Sequence, residues 1–362
     1  MKKSLIALAI AGAFAAPAFA ATSNVDIYGV MSFSLDWANT DDAAGDDSDF
    51  ATAVDNVSRI GFKGSEDLGG GLKALWQIET ELNTDAMAAG SLAATGSNSM
   101  RNTFVGVAGG FGTLVLGRHD TPYKLATGKL DPFADTIGDY NAVIGATQAA
   151  NQSSRFDVRA PQTIAYISPN FSGFHAAAAY VEAKANEGAG NDETQAFSIM
   201  GMYDNGPLFA SLAYETHSGN ILGATATQEI DAWKLGLGYS FGDGKVGFVY
   251  EDIEHDAAAN SNSRSAWYLT GSYAMGPIVL KAAYGNADDS DAAGNDEADF
   301  WTIGADYNLS KRTSIYAVYA NLDHDSAANQ AGASGYGLRG GAGYNAAGTE
   351  VSGFSLGIKH SF

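Results

Sequence analysis

The side chains able to hold a transition metal are six histidines, at 119, 175, 217, 255, 324 and 360, and there is no cysteine. They are scattered and no His-Glu-x-x-His occurs, whereas zinc needs several such ligands at fixed spacing. Asp323-His324-Asp325 could touch a metal, but in so acidic a chain it reads as a solvated loop. Neither a Gly-x-Ser-x-Gly elbow nor a phosphate loop is present, so nucleophilic catalysis and nucleotide binding lack their motifs. What remains is charge. Asp36 to Asp55 holds seven aspartates and no Lys or Arg, and Asp288 to Asp299 holds six acids and no base. Two roles suit such runs. One is solubility and repulsion of neighbours; the other is capture of Ca²⁺ or Mg²⁺ by carboxylate oxygens, the ion bridging to phosphates of a neighbouring surface. No full ligand set is visible, and no cofactor is expected.

The whole chain carries a formal charge of −21, and removing Lys2 and Lys3 with a leader leaves −23. Such a surface repels nucleic acid. Disorder is the other consequence of high charge, but 46% hydrophobic and 11% aromatic residues argue against it. The first twenty residues stand apart: a basic start, an apolar run over 4–16, and the small-x-small site Ala18-Phe19-Ala20. That is the pattern of a secretory signal peptide, with 21–362 as the exported domain. The apolar run is too short for a spanning helix, which needs ~20 residues. Export without cysteine suits a scaffold that closes on itself.

The elements that must position the charges are strands. In 25–37, Val25, Ile27, Met31, Phe33, Leu35 and Trp37 share one face, and Asp26, Tyr28, Ser32, Ser34 and Asp36 the other. Sixteen such segments follow one another: 25–37, 57–66, 71–82, 99–109, 111–119, 160–168, 172–183, 195–204, 206–216, 229–241, 244–254, 264–275, 277–286, 299–308, 312–322 and 350–362. Seven connections are tight turns, and they alternate strictly with eight longer ones, near 38–56, 83–98, 120–159, 184–194, 217–228, 255–263, 287–298 and 323–349. Short turns at one end and long loops at the other, on strands of ~10 residues, predict a closed all-β transmembrane barrel. Closure also removes the unpaired edges of so large a sheet. Phe174/Tyr180, Trp233/Tyr239, Trp267/Tyr273 and Trp301/Tyr307 are each six residues apart. That spacing spans ~20 Å, which suits the two margins of a ~25 Å apolar band.

On these residues the chain resembles the Gram-negative trimeric general porins. The branch carrying SRIGFKGxEDLGGGLKA is matched from Ser58 to Ala74. Further matches are 25–29 (VDIYG), 101–106 (RNTFVG), 111–118 (FGTLVLGR), 164–174 (IAYISPNFSGF) and a terminal Phe362, in order along the exported chain. The resemblance implies a 16-stranded antiparallel transmembrane β-barrel with short periplasmic turns and long extracellular loops, a homotrimer in the outer membrane beside lipid and lipopolysaccharide. It also implies that the third and longest loop, 120–159, folds into the pore.

In that family the pore narrows between wall arginines and acids on this loop. By local motif the basic side falls on Arg59, Arg101 and Arg159, and the acidic side among Asp131, Asp135 and Asp139. Lys63, which shares parity with Arg59, and Arg155, near Arg159, are secondary candidates. Where some members carry a first-strand lysine this chain has Val30. Alternation gives its own reason: Arg59 is opposite in parity to Ile60 and Phe62, and Arg101 to Phe104. An arginine facing lipid at mid-membrane costs ~2–4 kcal/mol. The same arginines could instead brace the loop through carboxylate pairs, and the two roles are compatible. Opposed fixed charges across a narrow aqueous gap set up a transverse field that filters by charge.

The expected function is therefore passive diffusion of small hydrophilic solutes and ions, not enzymatic. A substrate-specific channel for sugars or organic acids, an outer-membrane barrel enzyme and a soluble secreted β-protein are the rival readings.

Overall fold

The computed structural model describes residues 24–42, 47–82, 84, 99–145, 156–184, 193–219, 228–255, 263–291, 297–324, 338 and 348–362. The leader expected at 1–20, Arg155, Asp325 and parts of both acidic runs lie outside the described residues. Eighteen strand segments form one sheet. They are β1 (Asn24–Asp42), β2 (Asp47–Asp55), β3 (Arg59–Gly69), β4 (Leu72–Glu81), β5 (Ser99–Met100), β6 (Thr103–Gly109), β7 (Gly112–Asp120), β8 (Arg159–Ile167), β9 (Phe174–Lys184), β10 (Glu193–Asn205), β11 (Leu208–Gly219), β12 (Gln228–Phe241), β13 (Gly244–His255), β14 (Arg264–Met275), β15 (Ile278–Ala287), β16 (Ala298–Asn308), β17 (Thr313–His324) and β18 (Gly348–Ser361).

Neighbours pair antiparallel throughout. β1 bonds to β18 on one side and to β2 and β3 on the other, which closes the sheet. β2 and β3 are one barrel strand interrupted at 56–58, and β5 and β6 one interrupted at 101–102. The barrel therefore has sixteen strands, at the sixteen positions expected from alternation.

Where sequence and structure differ is at the long-loop end. β1 runs to Asp42 and pairs with β2 as far as Asp41↔Asp47, so most of the stretch expected as a loop at 38–56 is ladder. Backbone hydrogen bonds need no apolar side chains, so pairing continues past the point where the greasy alternation stops.

Side chains divide by face as the period of two requires. Ile27, Leu35, Trp37, Leu212, Trp233, Leu269, Ile303 and Leu356 project outward and are exposed. Phe174, Tyr180, Tyr239, Tyr273, Trp301 and Tyr307 are exposed as well, while Trp267 is half-buried beside Tyr284, their rings 5.4 Å apart. Ser32, Ser34 and Asp36 of β1 face inward and are buried.

The interior is occupied by the described residues between β7 and β8, 121–145 and 156–158. They open with a one-turn helix (Pro122–Thr127), whose cap Thr121 accepts the Lys124 N–H, and have short 3-10 turns at Gly128–Leu130 and Tyr140–Ala142. Tyr123, Phe133, Ile137, Val143 and Ile144 are fully buried against inward-facing wall residues, among them Tyr268, Phe300, Val318 and Leu322. Burial of each such side chain contributes about 1.5–3 kcal/mol, so the segment docks as a packed element. The wall is shaped to receive it. At Gly304 a Cβ would meet Phe133 at 3.0 Å and the Ala317 carbonyl at 2.8 Å.

Candidate functional site

Three arginines converge on one side of the lumen, and each sits at an irregularity in the ladder. Arg59 follows the break at 56–58, where Val57 has φ 59°. Arg101 lies in the break between β5 and β6. Arg159 pairs with Asp120 just beyond a register shift between Gly117 and His119, near Gln162 with φ 51°. An extra residue in a strand reverses which face later side chains take, and so re-aims a chosen side chain.

At Arg101 the simple alternation of faces fails. Parity with Arg101 places Phe104 on the opposite face, toward lipid; instead it packs against Val115, Ala165 and Ala179 on the lumen side, while Val105 and Leu116 are exposed outside. Register shows why. Gln77 pairs with Phe104 but Thr80 with Met100, a slip of one residue, so Arg101 reaches the lumen through the bulge.

Each guanidinium has its own carboxylates. Arg59 Nη1 donates to Asp135 Oδ2 at 3.0 Å and to the Val57 carbonyl at 3.1 Å. Arg101 Nε donates to Glu79 Oε1 at 2.6 Å, and its Nη1 to Glu81 Oε2 at 3.2 Å. Arg159 Nη2 lies 3.0 Å from Asp120 Oδ1, and its Nε donates to Asn102 Oδ1 at 2.9 Å. Glu79 also accepts the Tyr28 hydroxyl at 2.8 Å, and the Lys63 ammonium stands 5.1 Å from the centre of the Tyr28 ring. Lys63 thus shares the lumen face with Arg59.

Of the three loop aspartates, Asp135 reaches an arginine. It holds a left-handed backbone, φ 64°, a conformation Asp tolerates better than most residues. Asp131 is turned into the loop: its oxygens accept from the Phe133 N–H (2.9 Å), the Tyr140 N–H (3.1 Å) and the Tyr268 hydroxyl (3.1 Å). Burial, then the neighbouring Asp139, pushes its carboxyl up to about 8. Asp139 accepts the Asp135 and Asn141 N–H groups, both at 3.0 Å, and so fixes the turn that presents Asp135.

Glu79, Glu81, Asn102, Asp120 and Tyr28 complete the cluster and do not stand out in the sequence. A signal exists for the first two, because in Gln77–Glu81 they alternate with Ile78 and so belong to the polar face.

A second cluster locks the loop to the opposite wall. The fully buried Lys234 of β12 bonds Asp157 and lies 3.8 Å from Glu251 of β13. Asp157 accepts the Tyr140 hydroxyl at 2.5 Å, and Glu251 accepts the Tyr123 hydroxyl at 2.8 Å and the Gly145 N–H at 2.7 Å. Among the described residues no three His, Asp or Glu side chains converge as a metal site.

Residues 7–328 match the family model described as Gram-negative porin. The chain is 33% identical over 370 residues to "Outer membrane porin protein 32" of Delftia acidovorans, covering 100% of both. Among solved structures, an anion-selective porin from Comamonas acidovorans superposes with a TM-score of 0.74 at 28% identity, covering 94% of this chain and 100% of that one. The trimer form of OmpT from Vibrio cholerae gives 0.66 at 16% identity, covering 94% and 99%, a likeness of fold alone. The closed sixteen-strand barrel with its apolar exterior and charged, narrowed lumen is an outer-membrane channel for passive diffusion of small solutes, and the chain belongs to the Gram-negative porin family.

Proposed function

We propose that solutes pass along the charged cluster of Arg59, Arg101 and Arg159, with Asp135 the loop acid that joins it and Lys63 a flanking cation. The observation that carries this is the Arg59–Asp135 pair, which joins wall to loop across the lumen. The channel does no catalysis in this reading, and three copies assemble as a homotrimer, as in the OmpT form it resembles in fold. Acidic runs at the long-loop end suit Ca²⁺ or Mg²⁺ bridging to lipopolysaccharide.

Selectivity follows from pairing. Glu79, Glu81, Asp120 and Asp135 stand against the three arginines, so the fixed field at the constriction is close to balanced. The −21 chain supplies an acidic mouth whose reach is ~8–10 Å at physiological salt and ~30 Å at 10 mM. The pore is therefore weakly cation-selective, more so on dilution. The Comamonas relative is named anion-selective, and the opposite sign is the second reading. Reversal potentials across a tenfold KCl gradient in planar bilayers, at high and low mean salt, decide between them. Anion selectivity at 10 mM salt would mean that the ladder outweighs the mouth, and overturns the first reading.

A further inference from the structure

Beneath the docked loop, away from the arginine ladder, lies a cavity of about 390 Å³, opening toward the short-turn end of the barrel. Its roof is the loop at Lys129, Leu130 and Pro132, and its floor is the inner wall of β11 to β14. The register sets a row across neighbouring strands: Ser240 pairs with Lys245, Lys245 with Ser272, and Ser272 with Lys281. Gly238 and Gly247, paired with each other in the adjoining row, leave the space that Leu130 enters. A Cβ on either would stand 3.0 or 3.2 Å from a Leu130 methyl.

The charges in this cavity are unequal. Lys129 pairs with Asp204 at 2.6 Å and lies 3.9 Å from the Phe209 ring centre. Lys281, the register partner of Ser272 just outside the lining, is neutralised by Asp306 at 2.8 Å. Lys245 is exposed to the cavity and has no ion pair among the described residues. Among the lining residues two lysines against one aspartate leave one positive charge, flanked by two serine hydroxyls and by the apolar surface of Leu130, Phe209 and Pro207. An ammonium with hydroxyl donors on either side receives a carboxylate, and an apolar floor accepts a short aliphatic body.

We propose that this cavity is a binding site for small organic carboxylates, with Lys245 as the charge partner and Ser240 and Ser272 as hydrogen-bond donors. It is a station in the diffusion path separate from the arginine ladder. The site rests on the channel reading only in that solutes must reach the lumen.

The test is calorimetric titration of the detergent-solubilised protein with succinate, in a background where Arg59→Gln, Arg101→Gln and Arg159→Gln remove anion binding at the ladder. That background should retain one class of succinate site, and adding Lys245→Gln should weaken it about tenfold or more. Ser240→Ala with Ser272→Ala should weaken it by less. Loss of succinate binding in the ladder background, or binding indifferent to Lys245→Gln, overturns the proposal. Inorganic phosphate binding more tightly than succinate overturns the carboxylate assignment. KCl conductance and unheated gel mobility of each variant report whether the barrel formed, so failure of this site is distinguishable from failure of the channel.

Discussion

Arg59 Nη1 and Asp135 Oδ2, 76 positions apart in the chain, meet at 3.0 Å and tie the barrel wall to the tip of the inward loop. Both side chains are about one-fifth exposed (20% and 21%), so solvent screens the pair and it contributes at most about 1 kcal/mol to stability. Its weight falls on the field in the lumen. Asp135→Asn keeps a residue that tolerates the left-handed backbone and removes the charge. It should shift the reversal potential toward anions with little change in thermal unfolding. Asp135→Ala should shift it equally and also cost about 1 kcal/mol, because alanine dislikes that conformation.

Replacing Arg59, Arg101 and Arg159 together with glutamine frees Glu79, Glu81, Asp120 and Asp135 from their partners. Cation preference should rise strongly at all salt concentrations. Arg101→Lys alone should change charge selectivity little but loosen the site, since lysine cannot hold Glu79 and Glu81 at once through a planar fork. Unchanged selectivity in the triple variant with an intact barrel would place the constriction elsewhere.

Lys234 holds the loop's Asp157 against the wall at β12, beside Glu251 of β13. Lys234→Met leaves Asp157 and Glu251 as uncompensated buried carboxylates and should destabilise by about 3–5 kcal/mol. Adding Asp157→Asn and Glu251→Gln should recover most of that. The temperature at which the folded band is lost on unheated gels measures both.

Asp131 makes loop docking depend on pH. Its folded-state value is raised from 3.8 to about 8. Between those values the docked carboxyl keeps a proton that the unfolded chain has released. Its contribution is therefore full below pH ~4 and declines as pH rises toward 8. Asp131→Asn should flatten the fall in unfolding temperature between pH 5 and pH 8. A variant that keeps the wild-type slope would assign the titration to another group.

The sixteen strands are legible in the sequence because a half-buried strand states its face in every second residue, and the short–long rhythm of turns orients the whole sheet. The three arginines that converge in the lumen each sit in a family motif, but the parity of Arg101 with Phe104 misleads, because Phe104 faces the lumen. A bulge shifts phase without leaving a composition signal: nothing in Met100–Thr103 announces the slip. The same holds for the loop. Asp131, Asp135 and Asp139 are spaced by four in an irregular segment, so no period distinguishes them. What separates Asp135 is a backbone angle set by the Asp139 hydrogen bond. Glu79 and Glu81 are readable on the polar face, yet a carboxylate in so acidic a chain attracts no notice.

The inward loop supplies Phe133, Ile137, Val143 and Ile144 to the largest buried cluster, so the element that narrows the passage is also the element that fills the barrel. Permeability and robustness are thereby traded against each other. Trimming the loop to admit bulkier solutes would wet Phe300, Val318 and Leu322 and strand Lys234 with no counter-ion from Asp157. Recharging Asp135, whose ion pair is solvent-screened, or Lys245, which has no ion pair among the described residues, would leave that packed core untouched and so offers a less costly course for changing what is admitted.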